Sequence, residues 1–276
     1  MLDSLNGNII EEEYKPTKSH GRQRFTDVHC HCLPGLDDGP ATMAESLELC
    51  RMLAVEEFST VVATPHQLGR FEGTNEGATV RDAVRNLNEA IRNNHIPLKI
   101  VPGGEVRVDE RICRLLEADK ILTLADGGKY ILIELPHEVF INVESLLVEL
   151  VSMGIEPIIS HVEMITPSVV HKQILGTWLE RSAHLQVTAS SLVGTFGFEV
   201  QKVALSLIES GKATLVATDS HNTNLRRPRM RAAYELISSR FDEDTANLVC
   251  IENPSRVVNG QDILSVSLYE QQKENR

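Results

Sequence analysis

Residues 25–40 read FTDVHCHCLPGLDDGP. The apolar and β-branched residues that open this stretch run into a Pro/Gly-rich loop, which predicts a strand ending at His31. Along a strand, residues two apart share a face, so His29 and His31 point together while Cys30 faces the other way. Two imidazoles so placed can share one metal ion, and the loop behind them adds Asp37 and Asp38.

The same arrangement recurs along the chain. Strands are expected over Phe25–His31, Thr60–Thr64, Leu98–Gly103, Tyr130–Leu135, Glu156–Ser160, Leu185–Thr188 and Thr214–Thr218. Segments of helical period lie between them, near 41–56, 78–94, 109–118, 142–153, 168–181, 196–210 and 228–239, with a last amphipathic piece at 242–249. Strict alternation predicts a parallel sheet, either an open doubly wound sheet or a barrel.

The strand ends favour the barrel. The second strand runs into His66, the third into Glu105 and the fourth into Glu134. The fifth runs into His161, and the seventh into Asp219 and His221. Barrel enzymes build their active sites at the C-terminal ends of the strands. With His29, His31 and Asp38, these residues form a nitrogen and oxygen donor set that suits Mn²⁺, Fe or Zn²⁺ and is large enough for more than one ion. Any one of these short motifs alone is commonly a surface or core feature, and the recurrence at six of seven predicted strands is what singles out a metal site. His20, His95, His171 and His184 read as ordinary side chains, and His137 as a loop histidine beside Glu134.

Composition bounds the remainder. A chain of 276 residues buries about 70–75% of its unfolded surface and needs no disulfide or metal staple for its core. Lys+Arg 27 against Asp+Glu 39 gives −12, which argues against a nucleic-acid binder, because phosphate contacts need clustered cations. No stretch approaches the roughly 18 apolar residues of a membrane span, and no secretory signal is expected at residues 1–18. Five scattered cysteines, an odd number, predict reduced thiols and a cytoplasmic location. The expected organisation is a flexible leader at 1–23, one catalytic domain at 24–265 and a polar tail at 266–276.

The motifs DVHCHCLPGLDDGP, ATPH, GGEVR, LIELP, PIISHVE, QVTASSLVGTFG, ATDSHN and ENP resemble the PHP (polymerase and histidinol phosphatase) superfamily. Within it the chain is similar to the bacterial manganese-dependent protein-tyrosine phosphatases of capsule and exopolysaccharide operons. The resemblance runs from about Asp27 to Pro254. It implies a distorted seven-stranded, TIM-like β/α barrel with three metal ions, Mn²⁺ first and Fe or Zn as alternatives. By motif, His29, His31, Glu105 and Asp219 would hold one ion, and Glu105, Glu134 and His161 a second. Asp38, His66 and His221 would hold the third. Asp38 or His66 would protonate the leaving group. Arg226 would clamp the substrate phosphate, with Arg227 and Arg229 as neighbouring candidates. The implied substrate is a phosphotyrosine protein, a bacterial tyrosine kinase of polysaccharide biosynthesis or export. The alternatives are a phosphoesterase acting on histidinol phosphate or a nucleotide, and a metal-binding regulatory barrel without turnover.

The chain departs from the family pattern at two points. Met164 stands where the family usually carries a phosphate-binding Arg, and Gln67 where it often carries a second His. One short pattern reads as coincidence. Cys250 to Arg256 fits C-x5-R, the signature of cysteine-based tyrosine phosphatases, but the intervening residues lack the glycines of a phosphate cradle.

Overall fold

The computed structural model describes residues 24–165 and 172–274. The leader 1–23, with His20, and the start of the helix expected over 168–181, with His171, lie outside these described residues. In chain order the strands are β1 (Phe25–Cys30), β2 (Phe58–Ala63), β3 (His66–Gln67), β4 (Lys99–Pro102), β5 (Glu105–Arg107), β6 (Tyr130–Glu134), β7 (Glu156–Ile159), β8 (His184–Thr188) and β9 (Ala213–Ala217). Helices α1 (Met43–Val55) and α2 (Gly77–Asn93) follow β1 and β3. Helices α3 (Ile112–Glu117), α4 (Glu144–Ser152) and α5 (Lys172–Glu180) follow β5, β6 and β7. Helices α6 (Ala189–Leu192) and α7 (Phe198–Glu209) follow β8. After β9 come α8 (Met230–Arg240), α9 (Glu243–Asn247), α10 (Asn253–Val258) and α11 (Val266–Glu274). The stretch expected to be a polar tail is thus helical over most of its length. No helix among the described residues is long and apolar enough to cross a membrane.

Every strand pairing is parallel. The strands form one sheet in the order β1-β2-β4 and another in the order β3-β5-β6-β7-β8-β9. Seven expected strands therefore appear as nine among the described residues, because two of them break near their ends. Pro65 interrupts the second, since it has no N–H for the ladder. Gly103 and Gly104 interrupt the third. A Cβ on Gly104 would stand 2.1 Å from Oε1 of Gln67, so any other residue would displace the Gln67 side chain from its place. At the other edge, Asp219 N donates to His29 O at 2.8 Å and His31 N to Ser220 O at 2.8 Å, which joins the end of β9 to the end of β1. The result is a distorted β/α barrel arrangement whose first and last strands meet only at their C-terminal ends.

Alternation along the strands explains where the site sits. Tyr130 and Leu132 of β6, Ile158 of β7 and Leu215 and Ala217 of β9 form an inner apolar cluster with Val28, Val62 and Val257. Ile131, Ile133, Ile159 and Val216 face outward into the larger core beneath the helices. Continuing the inner positions by two residues reaches Glu134, Ser160 and Asp219. At the opposite end, His184 Nε2 pairs with Glu156 at 2.8 Å, away from the site, as the sequence indicates.

Candidate metal centre

All nine expected ligands meet at one end of the sheet, seven at or after the C-terminal ends of strands and His66 and Glu105 at the starts of β3 and β5. Glu105, at the start of β5 and 1% exposed, lies at their centre. Its Oε2 is 3.3 Å from His29 Nε2, 3.4 Å from His31 Nε2 and 3.1 Å from His66 Nδ1. Its Oε1 meets His161 Nε2 at 2.9 Å and accepts from Ser160 Oγ at 2.8 Å. Asp219 Oδ1 is 3.4 Å from His29 Nε2, 3.6 Å from His31 Nε2 and 3.6 Å from His221 Nδ1. Asp38 Oδ1 stands 3.3 Å from the Nε2 atoms of both His66 and His221. Glu134 Oε2 is 3.8 Å from His66 Nδ1.

Eight of these donors fall into three overlapping groups, with His161 in none of them: His31, Asp38, His66 and His221; His29, His31 and Asp219; and His66, Glu105 and Glu134. The sets implied by the resemblance divide the same residues slightly differently, adding Glu105 to the second group and placing His161 with Glu105. Two backbone features support the arrangement. His161 has φ 31° and Asp219 φ 51°, left-handed values that His and Asp adopt more readily than most non-glycine residues.

The donor set fits divalent cations. Glu105 Oε2, Asp219 Oδ1 and His221 Nε2 are buried and make no hydrogen bond, an arrangement that is costly without a compensating charge. A cation with bonds of about 2.1 Å separates neighbouring ligand atoms by roughly 3.0–3.5 Å. Most of the separations given above lie in or close to that range.

Burial alone would depress His29, but the Glu105 and Asp219 carboxylates outweigh it and raise its pKa to about 9. His66 is likewise lowered by burial yet raised overall to about 10 by Asp38, Glu105 and Glu134. Burial and the neighbouring His31 push His221 down to about 4. The His221 and His66 imidazoles beside it hold Asp38 well below the usual carboxylate range.

The cluster forms the floor of a cavity of about 570 Å³. Asp38, His66, Glu105, Glu134, His161 and Asp219 line it together with Leu68, Arg70, Phe71, Arg107, His137, Met164 and Arg226. Arg226 Nη2 donates to Asp219 Oδ2 at 2.7 Å. Arg227 and Arg229 do not line the cavity. The loop after β9 folds so that His221 N donates to Arg226 O; this leaves Arg227 exposed and places Arg229 directly before α8. Of the three candidate arginines, only Arg226 reaches the site.

A profile of the CpsB/CapC capsular polysaccharide synthesis family matches residues 25–259. The chain belongs to this family. It is 33% identical over 239 residues to the tyrosine-protein phosphatase YwqE of Bacillus subtilis, covering 86% of this chain and 92% of YwqE. To the putative tyrosine-protein phosphatase CapC of Staphylococcus aureus it is 33% identical over 207 residues, covering 73% and 79%. Among solved structures, it superposes with a TM-score of 0.83 and 32% identity on one from a study of YwqE from Bacillus subtilis and CpsB from Streptococcus pneumoniae, described as unique metal-dependent tyrosine phosphatases. That match covers 87% of this chain and 96% of the other.

Asp37, placed by the sequence in the loop behind the histidine pair, supports this cluster, as do residues to which the sequence assigns no such role. Asp37 Oδ2 holds His31 Nδ1 at 2.6 Å and accepts from the backbone N–H of His66 at 3.0 Å. Gln186, from the one strand with no expected ligand, meets His29 Nδ1 at 3.0 Å. A signal for Gln186 existed, since an amide between Leu185 and Val187 in a buried strand calls for a polar partner. Asp27 accepts from Thr218 N and Thr218 Oγ1, tying β1 to the end of β9, and burial raises its pKa to about 6. His137 Nε2 lies 3.3 Å from His161 Nδ1, so it backs a candidate ligand. Gln67 is turned away from the cluster: it donates to Asn75 O at 2.7 Å and accepts from Leu122 N at 2.9 Å.

Proposed function

We propose that this chain is a metal-dependent protein-tyrosine phosphatase. The observation that carries the proposal is the set of nine nitrogen and oxygen donors with unpartnered buried atoms on a cavity floor, in a chain of the CpsB/CapC family. We extend the reading to three ions, Mn²⁺ in preference to Fe or Zn, and to a substrate that is a bacterial tyrosine kinase of capsule or exopolysaccharide production. Five unpaired, buried cysteines support a reducing, cytoplasmic setting.

His29, His31 and Asp219 would hold one ion, with Glu105 reaching it from the centre. Glu105, Glu134 and His161 would hold another, and Asp38, His66 and His221 a third. Bound there, divalent ions supply positive charge for phosphoryl oxygens and lower the pKa of water towards about 7.

The chain's own residues bind and orient the substrate. Phe71, Leu68 and Met164 give the cavity apolar wall against which a phenyl ring can lie, while the donor cluster takes the phosphate end. Arg226, held on Asp219 Oδ2, presents a cation fixed before substrate arrives, as electrostatic preorganisation requires. Tyrosine phenol, with a pKa near 10, is a fair leaving group. The proton it takes is assigned to Asp38 or His66, both of which line the cavity.

The test combines metal analysis with a substrate panel. Purified protein should contain about three transition-metal ions and hydrolyse phosphotyrosine peptides in preference to phosphoserine peptides, nucleotides, sugar phosphates and histidinol phosphate. Fully metallated protein that turns over only a small-molecule phosphate would replace this reading with that of a small-molecule phosphoesterase. Metallated protein inactive on the whole panel would favour a regulatory barrel.

A further inference from the structure

Three carboxylates on the cavity floor divide their two oxygens in the same way. Asp219 turns Oδ1 to the imidazoles and Oδ2 to Arg226 Nη2 at 2.7 Å. Asp38 turns Oδ1 to His66 and His221 and Oδ2 to Arg70 Nη2 at 3.1 Å. Glu134 turns Oε2 to His66 and Oε1 to Arg107 Nη1 at 2.9 Å. Arg226 and Arg107 thus occupy equivalent stations on different strand ends, each one carboxylate removed from the donor cluster and each lining the cavity.

We propose that Arg107 is a second phosphate-binding side chain of this site, partnering Arg226. The proposal rests on the phosphatase reading above and deepens it by naming a substrate contact. Arg107 is built into the wall. Its backbone belongs to β5, and Gly69 lies beside its stem, where a Cβ would stand in ordinary contact, 3.4 Å from Arg107 Cγ. Arg70 is 68% exposed against 38% for Arg107, and its guanidinium already lies over the Phe71 ring, 4.6 Å from the centroid. A guanidinium has five N–H donors in a rigid fork, so a pair made through Nη1 leaves donors for an incoming anion. A phosphomonoester needs recognition on more than one side, and Met164 on the same cavity wall offers no donor. Arg107 supplies that contact from strand β5 while Arg226 supplies it from the loop after β9.

The experiment compares wild type, Arg107→Ala and Arg107→Lys as full-length, manganese-loaded proteins. Calorimetry measures inorganic phosphate binding, mass spectrometry measures metal content, and a phosphotyrosine peptide gives kcat and KM. Arg107→Ala is expected to keep wild-type metal content and to bind phosphate about 10- to 100-fold more weakly, with KM raised in step. Arg107→Lys, which keeps the charge without the fork, should recover part of the loss. Unchanged phosphate affinity in Arg107→Ala overturns the proposal, as does a wild type that binds no phosphate. A loss of metal parallel to the loss of phosphate affinity overturns it too, since Arg107 would then act only through Glu134. Wild type that binds phosphate through Arg107 but hydrolyses no phosphotyrosine peptide would sink the phosphatase reading and leave this contact standing.

Discussion

Asp37→Asn is expected to weaken metal binding by about 10- to 100-fold with the fold intact. The Asp37 carboxylate is buried against His31 Nδ1 at 2.6 Å and accepts from the backbone N–H groups of Gly39 and His66, each at 3.0 Å. It sets which nitrogen of His31 faces the cluster and where the His66 backbone lies, so it acts on two candidate ligands together. An outer carboxylate behind a ligating imidazole typically accounts for 10–100-fold in metal affinity, which is about 1.4–2.7 kcal/mol. Asparagine preserves the shape and can accept some of these bonds, but it lacks the charge. Burial by itself would raise the Asp37 pKa, yet the His31 ring and the backbone donors hold it at about 2, below its ordinary 3.8. A carboxylate lowered in the folded state contributes fully above its unfolded pKa and loses that contribution only as pH falls through the folded value. The difference between Asp37 and asparagine should therefore be constant from about pH 5 to 8. The assay titrates metal-free protein with Mn²⁺ against a fluorescent chelator, with thermal melts of the metal-free proteins alongside. An affinity within twofold of wild type would refute the orienting role. A melting temperature that drops as far as the affinity would assign Asp37 to holding the loop instead.

Further outcomes follow from the same geometry. Arg226→Ala should lose at least 10²-fold in kcat/KM on a phosphotyrosine peptide, about 3 kcal/mol of barrier, and near-wild-type kinetics would remove Arg226 from substrate binding. Chelation should abolish phosphatase activity, and Mn²⁺ should restore it better than Mg²⁺ because imidazole donors favour the transition metal; equal rescue would count against the ligand assignment. Cys250→Ser should retain activity, since Cys250 is fully buried and burial pushes its thiol far above the ordinary range; a folded, metallated but inactive Cys250→Ser protein would point to thiol chemistry.

Strand periodicity and strand-end chemistry are local properties, and the chain carries them openly. The period-two pairs His29/His31 and Asp219/His221, and the recurrence of donors after successive apolar runs, are enough to predict a parallel β/α arrangement with the donors at one end. Whether neighbouring donors share a job depends on the path of the loops. Asp37 and Asp38 are adjacent, yet Asp37 backs His31 while Asp38 faces His66 and His221. Arg226, Arg227 and Arg229 look alike in sequence, and only the turn after β9 brings Arg226 to the cavity. The strand breaks at Pro65 and Gly103–Gly104 also need tertiary context, because Gly103 makes room for Val62 and Gly104 for Gln67, residues from different strands. Arg107, Gln186 and Glu105 acquire their roles from partners between 27 and 157 residues away: Arg107 from Glu134, Gln186 from His29, and Glu105 from His29, His31, His66 and His161. Chain periodicity specifies which face a side chain takes. The convergence of faces from distant strands on one cluster of charge is set by how the sheet curves, and only the folded chain decides it.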